Sequence, residues 1–325
     1  MTYHVTEEDF ESLWSEWSDL LPNGNFETLF LTPTWQSVWW QELSDGADLA
    51  LLGIRQNNRL IGIAPFMRRE ETLSFLGDTD LWDYHDFIVA RGNESAFYST
   101  LVEYLKTQKW NRLELASIPE YSPTFTHFPD IARKQGLTME IIEEDVSPGV
   151  LLPETWDAYL GMLSKKDRHE LRRKLRRLDS QADHKSYTVS GTSLSGALDD
   201  FFKLMRASRQ DKEIFLDLER EGFFRRMVDD VAKVGALKLF FMEIAGERVA
   251  SALCFNYGNS LSLYNSGYNP VYSALSVGLL LNALCLKEAI EDGVRYFDFM
   301  RGAEAYKYHL GARDVQLHHM VIHPH

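Results

Sequence analysis

Two hydrophobic periods alternate along the chain. Between Thr6 and Leu21, Phe10, Leu13, Trp14 and Trp17 recur at helical spacing, and Pro22-Asn23-Gly24 punctuates the end. This predicts a helix and a turn. Thr34 to Leu43 predicts a second helix with Trp35, Trp39 and Leu43 on one face. The period then drops to two. Leu49–Gln56 and Arg59–Arg68 predict a hairpin about Asn57-Asn58, and Thr72–Leu76 and Asp86–Ala90 predict short strands. A helix over Glu94–Gln108 and a strand over Arg112–Ala116 complete the first half.

The same order returns in the second half. Helices are predicted at Leu198–Gln210 and Asp217–Lys233, followed by a hairpin of Leu237–Ile244 and Arg248–Tyr257 about Ala245-Gly246-Glu247. Leu261–Gly267 predicts a third strand, Ser276–Asp292 a helix and Arg295–Met300 the strand after it. Gln316–Ile322 is expected to close that sheet. The pattern predicts two copies of one α/β unit, each with a mixed sheet: an N-terminal domain over 1–146 and a C-terminal domain over 147–325. A connector helix over 164–179 belongs to the second.

Charge changes this picture at one place. The chain of 325 residues carries 34 Lys and Arg against 48 Asp and Glu, a net charge of −14. Such a body repels nucleic acid and anionic membrane unless its bases are gathered somewhere. They are gathered in the connector: Lys165, Lys166, Arg168, Arg172, Arg173, Lys174, Arg176 and Arg177, against Asp167 and Glu170. Ser164-x-x-Asp167 is a helix start, and Leu171, Leu175 and Leu178 form a docking stripe. Arg168 and Arg172, one turn apart, are the candidates to meet a phosphate-rich ligand. A solvated face that balances an acidic body is the other reading.

The two cysteines, Cys254 and Cys285, make neither a disulfide framework nor a zinc spacing. The acidic start lacks a signal-peptide pattern, and no apolar run reaches the roughly 18 residues of a membrane span. A soluble, cytoplasmic chain with no membrane insertion is expected. No metal motif occurs, and neither G-x-G-x-x-G nor G-x-x-x-x-G-K-[ST] is present.

Three segments could carry chemistry. The helix predicted from Ser276 has a capping residue there and Gly278 in its first turn, so the amides near Val277, Gly278, Leu279 and Leu280 suit a phosphate or an oxyanion. An ordinary capped helix is the alternative. In the strand ending at Arg301-Gly302, Asp298 lies between Phe297 and Phe299. It is either a structural ion pair with Arg301 or Lys307, or an active-site carboxylate. His85, between Asp83 and Asp86, could shuttle protons or sit in a surface turn.

FLTPTWQSVWWQEL, RLIGIAPFM, DYHDFIV, LSKKDRHELRRKLRRL and SVGLLLNALCLKEAIEDGVRYFDFMRGAEAYKYHLGA together resemble a GNAT-like acetyltransferase family associated with bacterial cellulose or exopolysaccharide biosynthesis. Its layout is similar to that of Fem-type aminoacyltransferases. The resemblance implies a tandem GNAT-like (acyl-CoA N-acyltransferase) fold. It also implies transfer from acyl-CoA to an amine or hydroxyl of a saccharide or amino-acid-type acceptor. In it, Ser276–Leu280 match the donor-binding helix start. Asp298 and Tyr264 would flank the acyl gap between the third and fourth strands of this half, with Arg301, Tyr306 and Lys307 nearby. Ordinary GNAT enzymes carry R/Q-x-x-G-x-G/A before the helix, whereas this loop runs Val271 to Gly278 with a single glycine. The chemistry needs an acid for the leaving group, for which Tyr268 and Tyr306 are candidates, and a base such as Asp298 or His85. Two other readings share the fold: a Fem-type enzyme that takes aminoacyl-tRNA on the basic helix, and a non-catalytic binding module.

Overall fold

A computed structural model describes residues 2–324. The chain forms two compact units, Met1–Val146 with Val315–His325, and Ser147–Asp314.

In the first unit the order is β1 (Tyr3–Glu8), α1 (Phe10–Leu20), α2 (Pro33–Leu43), β2 (Asp48–Gln56), β3 (Arg59–Arg69), β4 (Thr72–Phe75), β5 (Ile88–Val89), α3 (Glu94–Leu105), β6 (Arg112–Pro119), α4 (Pro123–Lys134) and β7 (Thr138–Val146). The second unit continues with β8 (Gly149–Leu151), α5 (Trp156–Met162), α6 (Lys165–Gln181), β9 (His184–Val189), α7 (Leu194–Ser208), α8 (Gln210–Phe215), α9 (Leu218–Lys233), β10 (Leu237–Ile244), β11 (Glu247–Tyr257), β12 (Ser260–Tyr268), α10 (Val277–Glu291), β13 (Tyr296–Asp298) and α11 (Ala305–His309). The last strand, β14 (Gln316–His323), returns to the first unit.

The first sheet runs β1-β2-β3-β4-β6-β14-β7, with β5 beside β3. The second runs β8-β13-β12-β11-β10-β9. Both contain one four-strand phrase: an antiparallel hairpin, a third antiparallel strand, then a parallel neighbour. Parallel neighbours need a crossover, and α3 and α10 supply it. Both hairpins turn on positive φ, at Asn57 and Asn58 (48° and 68°) and at Ala245 and Gly246 (51° and 85°). That twist suits a two-residue connection.

The structure corrects the sequence expectations in three places. The first helix begins at Phe10, not Thr6, because Tyr3–Glu8 pairs antiparallel with β2. Asp9 then starts the helix by accepting the Ser12 N–H at 2.8 Å. The strand expected over Arg295–Met300 shortens to Tyr296–Asp298, since Met300 takes a left-handed φ of 63°. The last strand does not close the second sheet. It inserts between β6 and β7, and Met320 and Ile322 join a core with Leu113, Leu115 and Ile118. The second sheet ends instead on β8, paired with β13. The stretch from Val315 therefore leaves the expected 147–325 domain for the first unit.

Candidate active site

Strand β12 is the key to the site. It pairs parallel with β13 at Ser260, Leu261 and Ser262 only, and β13 ends at Asp298 while β12 runs on to Tyr268. The register with β11 shifts by one residue, so that Leu263 opposes Cys254 and Asn265 opposes Leu253. The extra residue, Tyr264, changes which residues face each side. Before it, Leu261 and Leu263 pack into the core with α10; after it, Tyr268 does.

Beyond the splay lies a pocket of about 320 Å³. The end of β12 gives Ser266 and Tyr268; the start of α10 gives Ser276, Val277, Gly278, Leu279 and Asn282. The corner between α7 and α8 gives Arg209, α8 itself gives Lys212, Glu304 comes just before α11, and Tyr306 lies in α11.

Helix α10 opens without a side-chain cap, and no acidic residue stands in its first turn. Its first intrahelical bond here is Leu280 N to Ser276 O at 3.0 Å, so the amides of Val277, Gly278 and Leu279 have no intrahelical carbonyl to reach. Ser276 is left-handed, with φ 58° and ψ 37°. A non-glycine residue held there is strained, a condition that gathers at functional sites. Its hydroxyl does not cap the helix, as the sequence suggested, but accepts from Lys174 Nζ at 2.7 Å. A Cβ on Gly278 would stand 3.0 Å from Tyr268 Cδ1, so glycine there lets the ring lie against the helix.

Helix α6 carries Lys174. The Ser164 hydroxyl starts it by accepting the Asp167 N–H at 3.1 Å, and Leu171 and Leu178 bury its stripe. Arg168, one of the two bases singled out in sequence, points its guanidinium back to the carbonyls of Leu160 and Gly161, each at 3.4 Å. Arg172, the other, is exposed. Neither lines the pocket; Lys174, which the sequence did not distinguish from its neighbours, reaches the helix start.

Tyr268 and Tyr306 both line the pocket. Burial, and then the Glu304 charge, raise the Tyr306 phenol well above its usual pKa, so it stays protonated. Glu304 ion-pairs with Lys307 at 2.9 Å. Burial opposes its ionised form, yet that pairing holds its pKa below the usual carboxylate value.

Six more expected site residues stand elsewhere. Asp298 is buried, and its Oδ1 accepts from Met300 N at 2.8 Å and Ser147 Oγ at 3.4 Å, which fixes the left-handed turn. Lys307 is only 2% exposed and donates to the carbonyls of Met300, Arg301 and Gly302 at 2.8, 2.8 and 2.9 Å. With Glu304, those bonds consume the ammonium, so Lys307 clamps the turn and does not face a substrate. Tyr264 packs its ring at 5.5 Å from Phe224 and 5.0 Å from Phe255. His85 is buried in the first unit, stacked between Trp82 and Phe75 at 4.8 and 5.7 Å. It is a core ring, not an exposed base. Arg301 sits partly buried at the turn and Leu280 is fully buried in the core; neither lines the pocket.

The structure adds Lys212, Asn282 and Lys174. Lys212 Nζ donates to Asn265 Oδ1 at 2.9 Å and Ser266 O at 2.6 Å. The residue as a whole is partly exposed, but its ammonium is crowded by protein, and burial followed by the Arg209 charge lowers its pKa to about 8. Asn282 is 5% exposed, and its Oδ1 has no hydrogen-bond donor among the described residues. No signal in the sequence marks either one. Cys254 and Cys285 are buried thiols, and burial and their mutual contact push the Cys285 pKa well up, away from a nucleophile. Among the described residues no group of His, Cys, Asp and Glu could hold a metal, and no helix is long and apolar enough to cross a membrane.

Residues 165–308 match the family model described as an acetyltransferase (GNAT) domain. No curated protein matches the sequence. Among solved structures the chain is similar to FemX, with TM-score 0.70 and 11% identity over 98% of this chain and 96% of that one. It is also similar to the C-terminal domain (DUF2156) of a putative lysylphosphatidylglycerol synthetase from Agrobacterium fabrum, with TM-score 0.61 and 9% identity over 96% and 92% of the two chains. A tandem GNAT protein from the clavulanic acid biosynthesis pathway gives TM-score 0.51 and 13% identity over 98% of each chain. At these identities the likeness is one of fold. Residues 165–308 of the second unit thus match a GNAT acetyltransferase domain, and the chain as a whole has a tandem GNAT fold.

Proposed function

We propose that the second unit moves an acyl group from an acyl-CoA thioester to an amine or hydroxyl of a small saccharide or amino-acid-type acceptor. One observation carries the reading: the amide-bearing, acid-free start of α10 shares a single pocket with Tyr268 and Tyr306. The positive end of α10 and the Lys174 ammonium at Ser276 favour a polyanionic donor there. This pairing stands in for the glycine-rich loop the sequence lacks. The thioester carbonyl then lies against the amides of Val277, Gly278 and Leu279.

The acceptor's lone pair attacks that carbonyl. A C–N or C–O bond forms, the C–S bond breaks, and the acceptor loses a proton to solvent. The helix-start amides hold the negative charge that develops on the carbonyl oxygen. Tyr306, kept protonated by burial, gives its proton to the departing thiolate and takes one back from the solvent that received the acceptor's proton.

Gly278→Val tests the donor site, because the new side chain pushes on Tyr268 and fills the approach to the amides. Acyl-CoA affinity by calorimetry is expected to fall about tenfold or more, a loss of about 1.4 kcal/mol. Wild-type affinity in a folded Gly278→Val protein would remove the donor from this site. Tyr306→Phe is expected to leave donor affinity near wild type and to lower turnover by about 100-fold.

An aminoacyl-tRNA donor is the second reading, favoured by the exposed bases Lys165, Lys166, Arg172 and Arg176 on α6. It predicts tRNA binding that weakens steeply with salt, through release of counterions. Acyl-CoA binding without tRNA affinity supports the first reading. Donor binding with no turnover on any acceptor marks a binding module.

A further inference from the structure

Lys212 and Asn282 have no task in the donor chemistry above. Lys212 Nζ has two neutral oxygen partners, and among the described residues no carboxylate lies within ion-pairing distance of it. The charges around it are Arg209, Glu304, Asp211 and Lys307. All four are already matched in two pairs: Asp211 holds Arg209 at 2.6 Å, and Glu304 holds Lys307 at 2.9 Å. A crowded cation without an anion is costly. It either gives up its proton, as its lowered pKa reflects, or gains a counter-charge from a ligand. Asn282 presents the complementary need. Its Oδ1 is a buried acceptor without a donor, on the second turn of the helix whose start would hold the thioester.

We propose that this pocket selects an acceptor bearing a carboxylate beside its amine, with Lys212 as the counter-charge and Asn282 Oδ1 receiving an amine N–H. The acceptor class is thus the amino-acid type rather than the neutral saccharide. The carboxylate is seated on the α8 side and the nitrogen is turned toward the α10 amides. Binding restores the third partner of the Lys212 ammonium and satisfies Asn282 at once. The reaction is the one already written: the amine nitrogen forms the amide bond, the thiol leaves, and the carboxylate is unchanged. The inference rests on the acyl-transfer reading and narrows its acceptor.

The test uses the full chain, acetyl-CoA, and thiol release with the twenty L-amino acids, each matched with its carboxamide. At least one acid is expected to exceed its amide by tenfold or more in kcat/KM. Lys212→Arg should keep that preference, and Lys212→Met should abolish it, with both variants checked for folding by melting temperature. Amides that match or outrun acids overturn the proposal, as does a preference that survives in Lys212→Met. Acetyl-CoA that binds while no acid serves as acceptor also overturns it and leaves the donor site standing. If Lys212→Met weakens acetyl-CoA binding tenfold without altering the acid preference, the cation serves the donor's phosphates and the acceptor assignment falls. Failure of acetyl-CoA to bind the wild-type chain is a failure of the acyl-transfer reading itself.

Discussion

The two units build the same four strands and the same crossover helix, yet they differ where the crossover helix begins. In the first unit Glu94 opens α3, and its carboxylate accepts from Gly92 N at 3.1 Å and from the Asn25 side-chain amide. This helix has no side-chain cap either, but Glu94 sets a negative charge at its positive end. One turn on, Phe97 lies so close to β3 that a Cβ on Gly62 would stand 2.3 Å from its ring. Phe66, Phe87, Tyr98 and Phe128 belong to the same core. In the second unit the matching turn reads Val277-Gly278-Leu279, without an acid or an aromatic ring, and a pocket remains. The contrast teaches that a tandem fold can keep one copy as a packed support and the other as a site. A carboxylate and a ring at the start of one helix are enough to distinguish them.

The sharpest way to break this comparison is Phe97→Ala. If the first unit is support, the variant loses about 3–5 kcal/mol of stability, the usual cost of removing a fully buried ring. The molecules that remain folded should bind acyl-CoA as before. Calorimetric melting checks the first outcome and titration at low temperature the second. A folded variant with changed donor affinity would give the first unit a part in the site.

A second difference is electrostatic. Asp86 in the first unit is fully buried, and burial raises its pKa to about 7 against the pull of Ser122, Thr124 and the Phe87 amide. A carboxyl with a folded pKa above its unfolded value lends stability that is complete below about pH 4 and lost as pH rises through 7. Between pH 5 and 8 the transition moved by Phe97→Ala should therefore weaken by roughly 2–3 kcal/mol. Asp86→Asn should flatten that dependence. A wild-type transition that does not change over this range would show that the hydrogen bonds outweigh burial and keep Asp86 ionised.

The smallest expected effect is at Asp298, the buried acid of the second unit. Since its carboxylate holds the Met300 amide, Asp298→Asn should cost about 1–2 kcal/mol of stability. Turnover per folded molecule should change little, because Asp298 does not line the pocket. A fall of 100-fold in turnover with an unchanged melting temperature would restore it as a base.

Local pattern was enough for much of this molecule. Alternation at LLGIRQNNRLIGIAPF and FFMEIAGERVASALCF marked both hairpins, and the repeated order of elements marked two units. Of the helix start expected over Ser276–Leu280, the first four residues line a pocket with Tyr268 and Tyr306, while Leu280 packs into the core. Tertiary structure decided what depends on distant neighbours. Gln316–His323 alternates like any half-buried strand, and only pairing with β6 and β7 assigned it to the first sheet. Asp298, Lys307 and His85 are reactive by type, but their surroundings use them for a turn, a clamp and a core. Lys174 and Lys212 are two cations among 34, and nothing along the chain distinguishes them. One meets the hydroxyl of Ser276, and the other lies beside the bulged end of β12. Those contacts join residues 102 and 53 positions apart. Spacing along a chain fixes which face a side chain takes, but the partner that sets its charge and task is brought to it only when the sheets close.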